Sequence, residues 1–181
     1  MSGSVLLNAQ AIVTVANLAP GMRVADFGAG RTGHLVVPLA RFLGEDGAVY
    51  AVDIHPDALS MTHGHRTLRV LPNLHVVRGD IERYEGIDGI QPASLDRVFV
   101  VNTLWMARRF ASIVAEARRL LRPDGKIVVV DWEPQSDHPV APESRFRVAP
   151  HAIDRVFAEG GCERCGVFRA SRHHWGRIYG H

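Results

Sequence analysis

The sequence has 181 residues, 46% of them hydrophobic and 22% charged. A chain of this size suits one globular domain that buries roughly two-thirds of its unfolded surface. Its 21 Lys and Arg stand against 19 Asp and Glu, a net charge of +2, so no global field points to nucleic acid or to a membrane surface. The excess is local, because residues 141–181 hold seven Arg against four acids. Cys162 and Cys165 are too few for a disulfide scaffold, and no apolar run is long enough for a bilayer. Met1-Ser2-Gly3-Ser4 lacks the charged start of a leader, so a single cytoplasmic domain over 1–181 is expected, with oligomeric state open between monomer and homodimer.

In chain order, the first expected element is an apolar helix over 6–18, ended by Pro20-Gly21 and lying over the entrance to the domain. Residues 23–27 read as a short strand and 28–33 as a glycine loop. Leu35, Val36, Leu39 and Leu43 recur at helical spacing, which predicts a helix over 33–43 stopped by Gly44. A turn at Glu45-Asp46-Gly47 leads into Ala48-Val49-Tyr50-Ala51-Val52, a run typical of a strand buried on both faces. Pro56 suits the first turn of the next helix, which reaches residue 68.

Third and fourth strands follow over 74–77 and 96–101, then a helix over 110–121, a turn at Arg122-Pro123-Asp124-Gly125, and a fifth strand over 126–130. This alternation means a parallel sheet covered by helices on both faces. After Asp131 the pattern breaks. Pro134, Pro139, Pro142 and Pro150 mark 133–150 as an ordered loop or lid. A helix over 152–159 comes next, then strands over 163–169 and 174–179, joined by Ala170-Ser171-Arg172 as an antiparallel hairpin at the sheet edge. The chain thus divides into an N-terminal helix (1–19), a core (20–131), the lid, and a C-terminal helix with hairpin (151–181).

The strongest chemical signal is Val24-Ala25-Asp26-Phe27-Gly28-Ala29-Gly30-Arg31-Thr32-Gly33. Gly28 and Gly30 let the backbone turn sharply and approach a ligand, and the helix that follows points its N-terminal dipole at the same space. Asp53 ends the next strand, 20 residues after Gly33, where a carboxylate can accept from ribose hydroxyls. That much fits NAD and S-adenosylmethionine alike. Asp26, inside the first strand, and Asp80, after the third, add two more acids along the same sheet edge. Three acids suit a sulfonium and an ammonium and repel a pyrophosphate, which favours S-adenosylmethionine.

On these residues the chain resembles the class I S-adenosylmethionine-dependent methyltransferases, from about Leu6 to Tyr179. The glycine loop with Asp26 looks like that family's first motif, Tyr50-Ala51-Val52-Asp53-Ile54 like its second and Gly79-Asp80-Ile81 like its third. Asp96-Arg97-Val98-Phe99-Val100-Val101-Asn102-Thr103-Leu104 matches the fourth. The segment Glu116-Ala117-Arg118-Arg119-Leu120-Leu121-Arg122-Pro123-Asp124-Gly125-Lys126 and the closing Ser171-Arg172-His173-His174-Trp175-Gly176 resemble the branch that includes quinone-biosynthesis and small-molecule methyltransferases. The resemblance implies a Rossmann-like three-layer α/β/α sandwich. Its seven-stranded, mostly parallel sheet would run in the order 3-2-1-4-5-7-6, with strand 7 antiparallel. It places Asp26, Gly28, Ala29 and Gly30 along the methionine part of the cofactor, Asp53 with Ile54 at the ribose, Asp80 with Ile81 at the adenine, and Asn102 beside the sulfonium. Arg31-Thr32 makes the glycine spacing one residue longer than the family's usual pattern, which leaves the role of Gly33 open.

The implied chemistry is in-line methyl transfer to a small molecule, for which the protein supplies alignment, exclusion of water and, where needed, a base. Asn102-Thr103-Leu104-Trp105 stands where enzymes acting on amide or ring nitrogens carry Asn/Asp-Pro-Pro-Tyr. The paucity of cysteines argues against arsenic. Asp131, at the ligand edge of the sheet, and His174 are the candidate catalytic residues, with His138 in the lid and His173 in the tail as further base candidates. Cys162-Glu163-Arg164-Cys165 has ligand spacing, but it lacks a second spaced pair, so no metal is expected. The Arg-rich C-terminal third reads as a solvated face, and nucleic acid is not expected as a partner. An NAD(P)-dependent oxidoreductase and a cofactor-binding module without turnover are the alternatives.

Overall fold

Strands that are apolar at every position need a helical layer on each side. The computed structural model, which describes residues 7–180, supplies both layers. Met1-Ser2-Gly3-Ser4 and Leu6 lie outside the described residues. The elements are α1 (Ala9–Val15), β1 (Arg23–Phe27), α2 (Val36–Leu43), β2 (Ala48–Asp53), α3 (Pro56–Leu68), β3 (Leu74–Arg78), β4 (Leu95–Val101), α4 (Phe110–Leu120), β5 (Leu121–Trp132), α5 (Pro150–Glu159), β6 (Glu163–Ser171) and β7 (His174–Gly180). One seven-stranded sheet runs β3-β2-β1-β4-β5-β7-β6. Its first five strands are parallel, and β7 is antiparallel to both β5 and β6. This is the sandwich and strand order that the resemblance implies.

Every residue of β2 and β4 is buried. Side chains alternate across the sheet, so Ala25, Phe27, Val98, Val100, Ile127 and Val129 meet α4 and α5 on one face. Val24, Phe99, Val101, Val128 and Val130 meet α1 and α2 on the other. The α2 stripe of Val36, Leu39, Ala40 and Leu43 is buried, each leucine contributing about 1.5–3 kcal/mol. Glu116 on α4 is fully buried. Its carboxylate accepts the backbone N–H groups of Glu85 (2.9 Å) and Ile87 (3.1 Å) and pairs with Arg119 at 2.6 Å. That grip orders the irregular connection between β3 and β4.

Several boundaries differ from the sequence expectation. Helix α2 begins at Val36, because Gly33 adopts φ +62°, outside the helical region. Residues 122–125 form no free turn. Leu121 pairs with Leu95 and Lys126 with Arg97, so the segment bulges at the start of β5. Pro150 opens α5 at its first position, where its fixed φ suits a helix, so the lid is shorter at its C-terminal end than the proline pattern suggests. The hairpin loop shrinks to Arg172-His173, with Ser171 already paired to His174; Ser171 Oγ accepts the His173 N–H at 3.1 Å and closes the turn. Helix α1 covers seven residues, capped by the Asn8 side chain. Among the described residues no helix is long and apolar enough to cross a membrane.

Candidate active site

The carboxyl ends of the parallel strands form the site, and the glycine loop after β1 sets its floor. Gly28 has φ +78°, and a Cβ there would lie 2.7 Å from Thr103 Oγ1. Thr103 packs so close because its hydroxyl donates to Phe27 O at 3.0 Å, cinching the ends of β1 and β4 together. Gly28 N–H and Ala29 N–H both donate to Val52 O, at 2.9 and 3.0 Å. Asp53 then fixes the loop from β2. Its Oδ2 accepts Gly30 N–H at 3.0 Å and its Oδ1 accepts His55 N–H at 2.9 Å.

A cleft of about 630 Å³ opens beside this loop, lined by Gly28, Gly30, Asp53, Ile54, Asp80 and Ile81 among others. The structure thus brings six of the sequence-derived positions to one cleft. The lining also includes Thr103, Met106, Arg108 and Arg109, and of these only Thr103 falls inside a sequence motif. Glu82 clamps the segment at Arg108 and Arg109, its Oε2 accepting the backbone N–H of both at 2.7 Å. Met106, Arg108 and Arg109 sit in an irregular stretch between β4 and α4, which carries no periodic signal in the sequence.

Asp26, Ala29, Gly33 and Asn102 do not line the cleft. Asp26 is 2% exposed, and its Oδ1 has no hydrogen-bond partner. Burial, and then the charge of Asp53, push its pKa up to about 7. Asn102 takes φ +54° and leaves Oδ1 buried and unpartnered, while its backbone carbonyl accepts Trp105 Nε1–H at 2.9 Å. Gly33 is buried beside the His65 ring.

The two candidate catalytic residues also lie off the cleft. Asp131 is fully buried, and its carboxylate accepts Leu104 N–H and Trp132 N–H, each at 2.8 Å. It braces the turn after β4, with its pKa pushed up to about 6 by burial against those hydrogen bonds. His174 is fully buried too, its ring 4.1 Å from Trp132. The segment after β5 is stapled by Arg147, whose guanidinium donates to Pro142 O (2.6 Å), Pro134 O (3.1 Å) and Ser136 O (2.5 Å). His138 in that segment meets the His173 ring of the β6–β7 turn edge to face, centroids 5.0 Å apart. Cys162 is buried and Cys165 exposed, and no group of three or more His, Cys, Asp or Glu among the described residues is arranged to hold a metal.

Residues 18–166 match a family model described as a methyltransferase domain. The ubiquinone/menaquinone biosynthesis C-methyltransferase UbiE of Bordetella avium is 33% identical over 127 residues, covering 70% of this chain and 47% of its own. The tRNA (adenine(58)-N(1))-methyltransferase TrmI of Thermus thermophilus is 32% identical over 115 residues, or 63% of this chain and 44% of its own. The chain therefore spans under half the length of these curated relatives. Among solved structures, an S-adenosylmethionine-dependent methyltransferase from Aquifex aeolicus superposes with a TM-score of 0.88 at 18% identity, over 98% of this chain and 92% of that one. Fold, strand order and family match together place the chain in the class I S-adenosylmethionine-dependent methyltransferases. The oxidoreductase alternative falls away with that membership.

The residues present suit the cofactor of this family. The glycine floor has no room for side chains at Gly28, Asp53 is held with lone pairs to spare, and a buried carboxylate at Asp26 lacks a partner.

Proposed function

We propose that this chain transfers the methyl group of S-adenosylmethionine to a small-molecule acceptor by in-line displacement. The observation that carries the reading is Asp26, a buried carboxylate with an unpartnered oxygen at the end of β1. An isolated buried carboxylate is costly and finds its use opposite a cation. Asp26 and Asn102 would hold the methionine end, Asp53 the ribose, and Asp80 with Ile81 the adenine. The cofactor, when bound, supplies a methyl carbon already activated by a sulfonium, so the acceptor's new bond forms as the carbon–sulfur bond breaks and the acceptor's proton passes to solvent. The chain's own part is alignment and exclusion of water. Asp131 holds the turn after β4, Glu82 holds the backbone at Arg108 and Arg109, and Arg147 fixes the segment after β5.

A small acceptor is supported by the near-neutral charge of +2 and by the larger share of this chain that matches the quinone-biosynthesis enzyme. Melting with S-adenosylhomocysteine at a hundredfold excess over Kd should raise Tm by about 5–10 °C. No rise would remove the cofactor from the reading. Radiolabelled methyl transfer into a cell extract, followed by ultrafiltration, should leave the label in the small-molecule fraction. Label in RNA, lost steeply with added salt, would overturn the acceptor class.

A further inference from the structure

Seven buried side-chain polar atoms lack a hydrogen-bond partner among the described residues. Three of them, Asp96 Oδ1, Arg122 Nε and Arg177 Nε, sit in ion pairs: Asp96–Arg122 at 2.5 Å, Arg122–Asp124 at 2.9 Å and Arg177–Asp154 at 3.3 Å. The remaining four are Asp26 Oδ1, His34 Nε2, Asn102 Oδ1 and His174 Nε2. They belong to the end of β1, the loop before α2, the end of β4 and the start of β7, which is one edge of one sheet. Buried polar groups are nearly always paired, with protein, ordered water or a ligand, so four orphans along one edge mark a polar site. Asp26 and Asn102 are accounted for by the proposed cofactor. The two histidines are not.

Both imidazoles are prepared in the same way. His34 Nδ1 pairs with Thr32 Oγ1 and His174 Nδ1 with Ser171 Oγ, each at 2.9 Å, which leaves Nε2 free in both rings. They also share a face. His174 pairs with Trp132 as Gly176 pairs with Val130, and Val130 packs on the α2 side of the sheet. His34 lies just before α2 on that side. Burial lowers the pKa of both rings, to about 4 for His174, where the charges that His173, His138 and His34 would carry add to the shift in that order.

We propose that His34 and His174 form a subsite that receives an uncharged hydroxyl of the methyl acceptor. A neutral imidazole whose Nδ1 faces a rotatable hydroxyl presents Nε2 as donor or as acceptor. Two such nitrogens match a group that both donates and accepts. A carboxylate asks for a cation and an ammonium for an anion, and neither ring supplies these. A ring held neutral so firmly positions the hydroxyl rather than storing its proton. His34 and His174 are thus positioning residues, and the inference rests on the methyltransferase reading.

The test uses the full chain loaded with S-adenosylhomocysteine and follows the imidazole nitrogens by NMR, with phenol as probe, chosen small because both Nε2 atoms are covered. Phenol should shift the Nε2 resonances of both histidines, while anisole, benzoate and benzylamine leave them in place. His34→Phe and His174→Phe should each keep the thermal gain from S-adenosylhomocysteine and lose the phenol response at the other ring. No phenol shift, or an equal shift with anisole or benzoate, overturns the subsite. Movement of both rings on adding S-adenosylhomocysteine alone also overturns it, by assigning them to the cofactor. If S-adenosylhomocysteine gives no thermal gain in the wild type, it is the methyltransferase reading that fails, a result read separately from the phenol titration.

Discussion

Asp53 accepts the backbone N–H of Gly30 at 3.0 Å, so the acid that ends β2 and the loop that follows β1 are one mechanical unit. A carboxylate at this position both presents itself to the cleft and sets the curvature of the loop beside it. Asp53→Ala is expected to abolish the thermal gain from S-adenosylhomocysteine and to cost the free protein about 1–3 kcal/mol. Asp53→Asn, with one acceptor oxygen left, should fall between the two. Melting with and without ligand separates the effects.

Asp26 opposes stability and favours binding. Its folded pKa of about 7 lies above the ordinary value of 3.8, so the folded state holds a proton the unfolded state has lost. The contribution of this group to stability is therefore full below pH 4 and declines as pH rises to about 7. Asp26→Asn removes that decline and should be more stable than wild type at pH 8, by about 2–4 kcal/mol in urea unfolding. The same variant should lose affinity for S-adenosylmethionine. In the wild type, calorimetry should show affinity falling by up to about tenfold per pH unit below pH 7, as the carboxylate that meets a cation becomes protonated.

Asp131 is a brace. Removing its carboxylate in Asp131→Ala leaves the buried Leu104 N–H without its acceptor and should cost about 2–3 kcal/mol. Asp131→Asn keeps an acceptor and should cost about 1 kcal/mol. If Asp131→Asn abolishes methyl transfer while its melting curve and cofactor affinity stay near wild type, the carboxylate acts in the chemistry and the bracing role is insufficient.

Glu116 accepts two backbone N–H groups and pairs with Arg119 while fully buried. Glu116→Ala strands the Arg119 guanidinium and two backbone N–H groups, so a loss of about 3–5 kcal/mol is expected in denaturant unfolding. Because the 80s loop carries Asp80 and Ile81, the gain from S-adenosylhomocysteine should shrink with it. Glu116→Gln should retain most of the ligand effect.

The sheet was legible in the sequence because its strands are local runs. Val24-Ala25-Asp26-Phe27 and Ala48-Val49-Tyr50-Ala51-Val52 announce burial on both faces whatever lies beyond them, and the glycine loop between them announces its own turn. One misplaced boundary, at residues 122–125, fell where long-range pairing decides. There Lys126 pairs with Arg97 and turns an apparent loop into a bulged strand end.

The same division runs through the site. Asp53, Asp80 and the glycines could be found from spacing, because they follow strand ends and motif chemistry is carried by neighbours in the chain. His34 stands one residue past the last glycine of the motif with nothing in its sequence to mark it out. It matters only because folding buries its Nε2 and leaves it unpaired, on the side of the sheet that also holds His174, 140 residues away in the chain. Apolar periodicity and glycine spacing are properties of neighbouring residues, and the sequence alone determined them, and with them the alternating strands and helices and the ligand-binding edge, while the strand order and the family came from the resemblance of its motifs. Which polar atoms keep a partner once water is removed is settled between strands distant in the chain, and only the tertiary structure decided it.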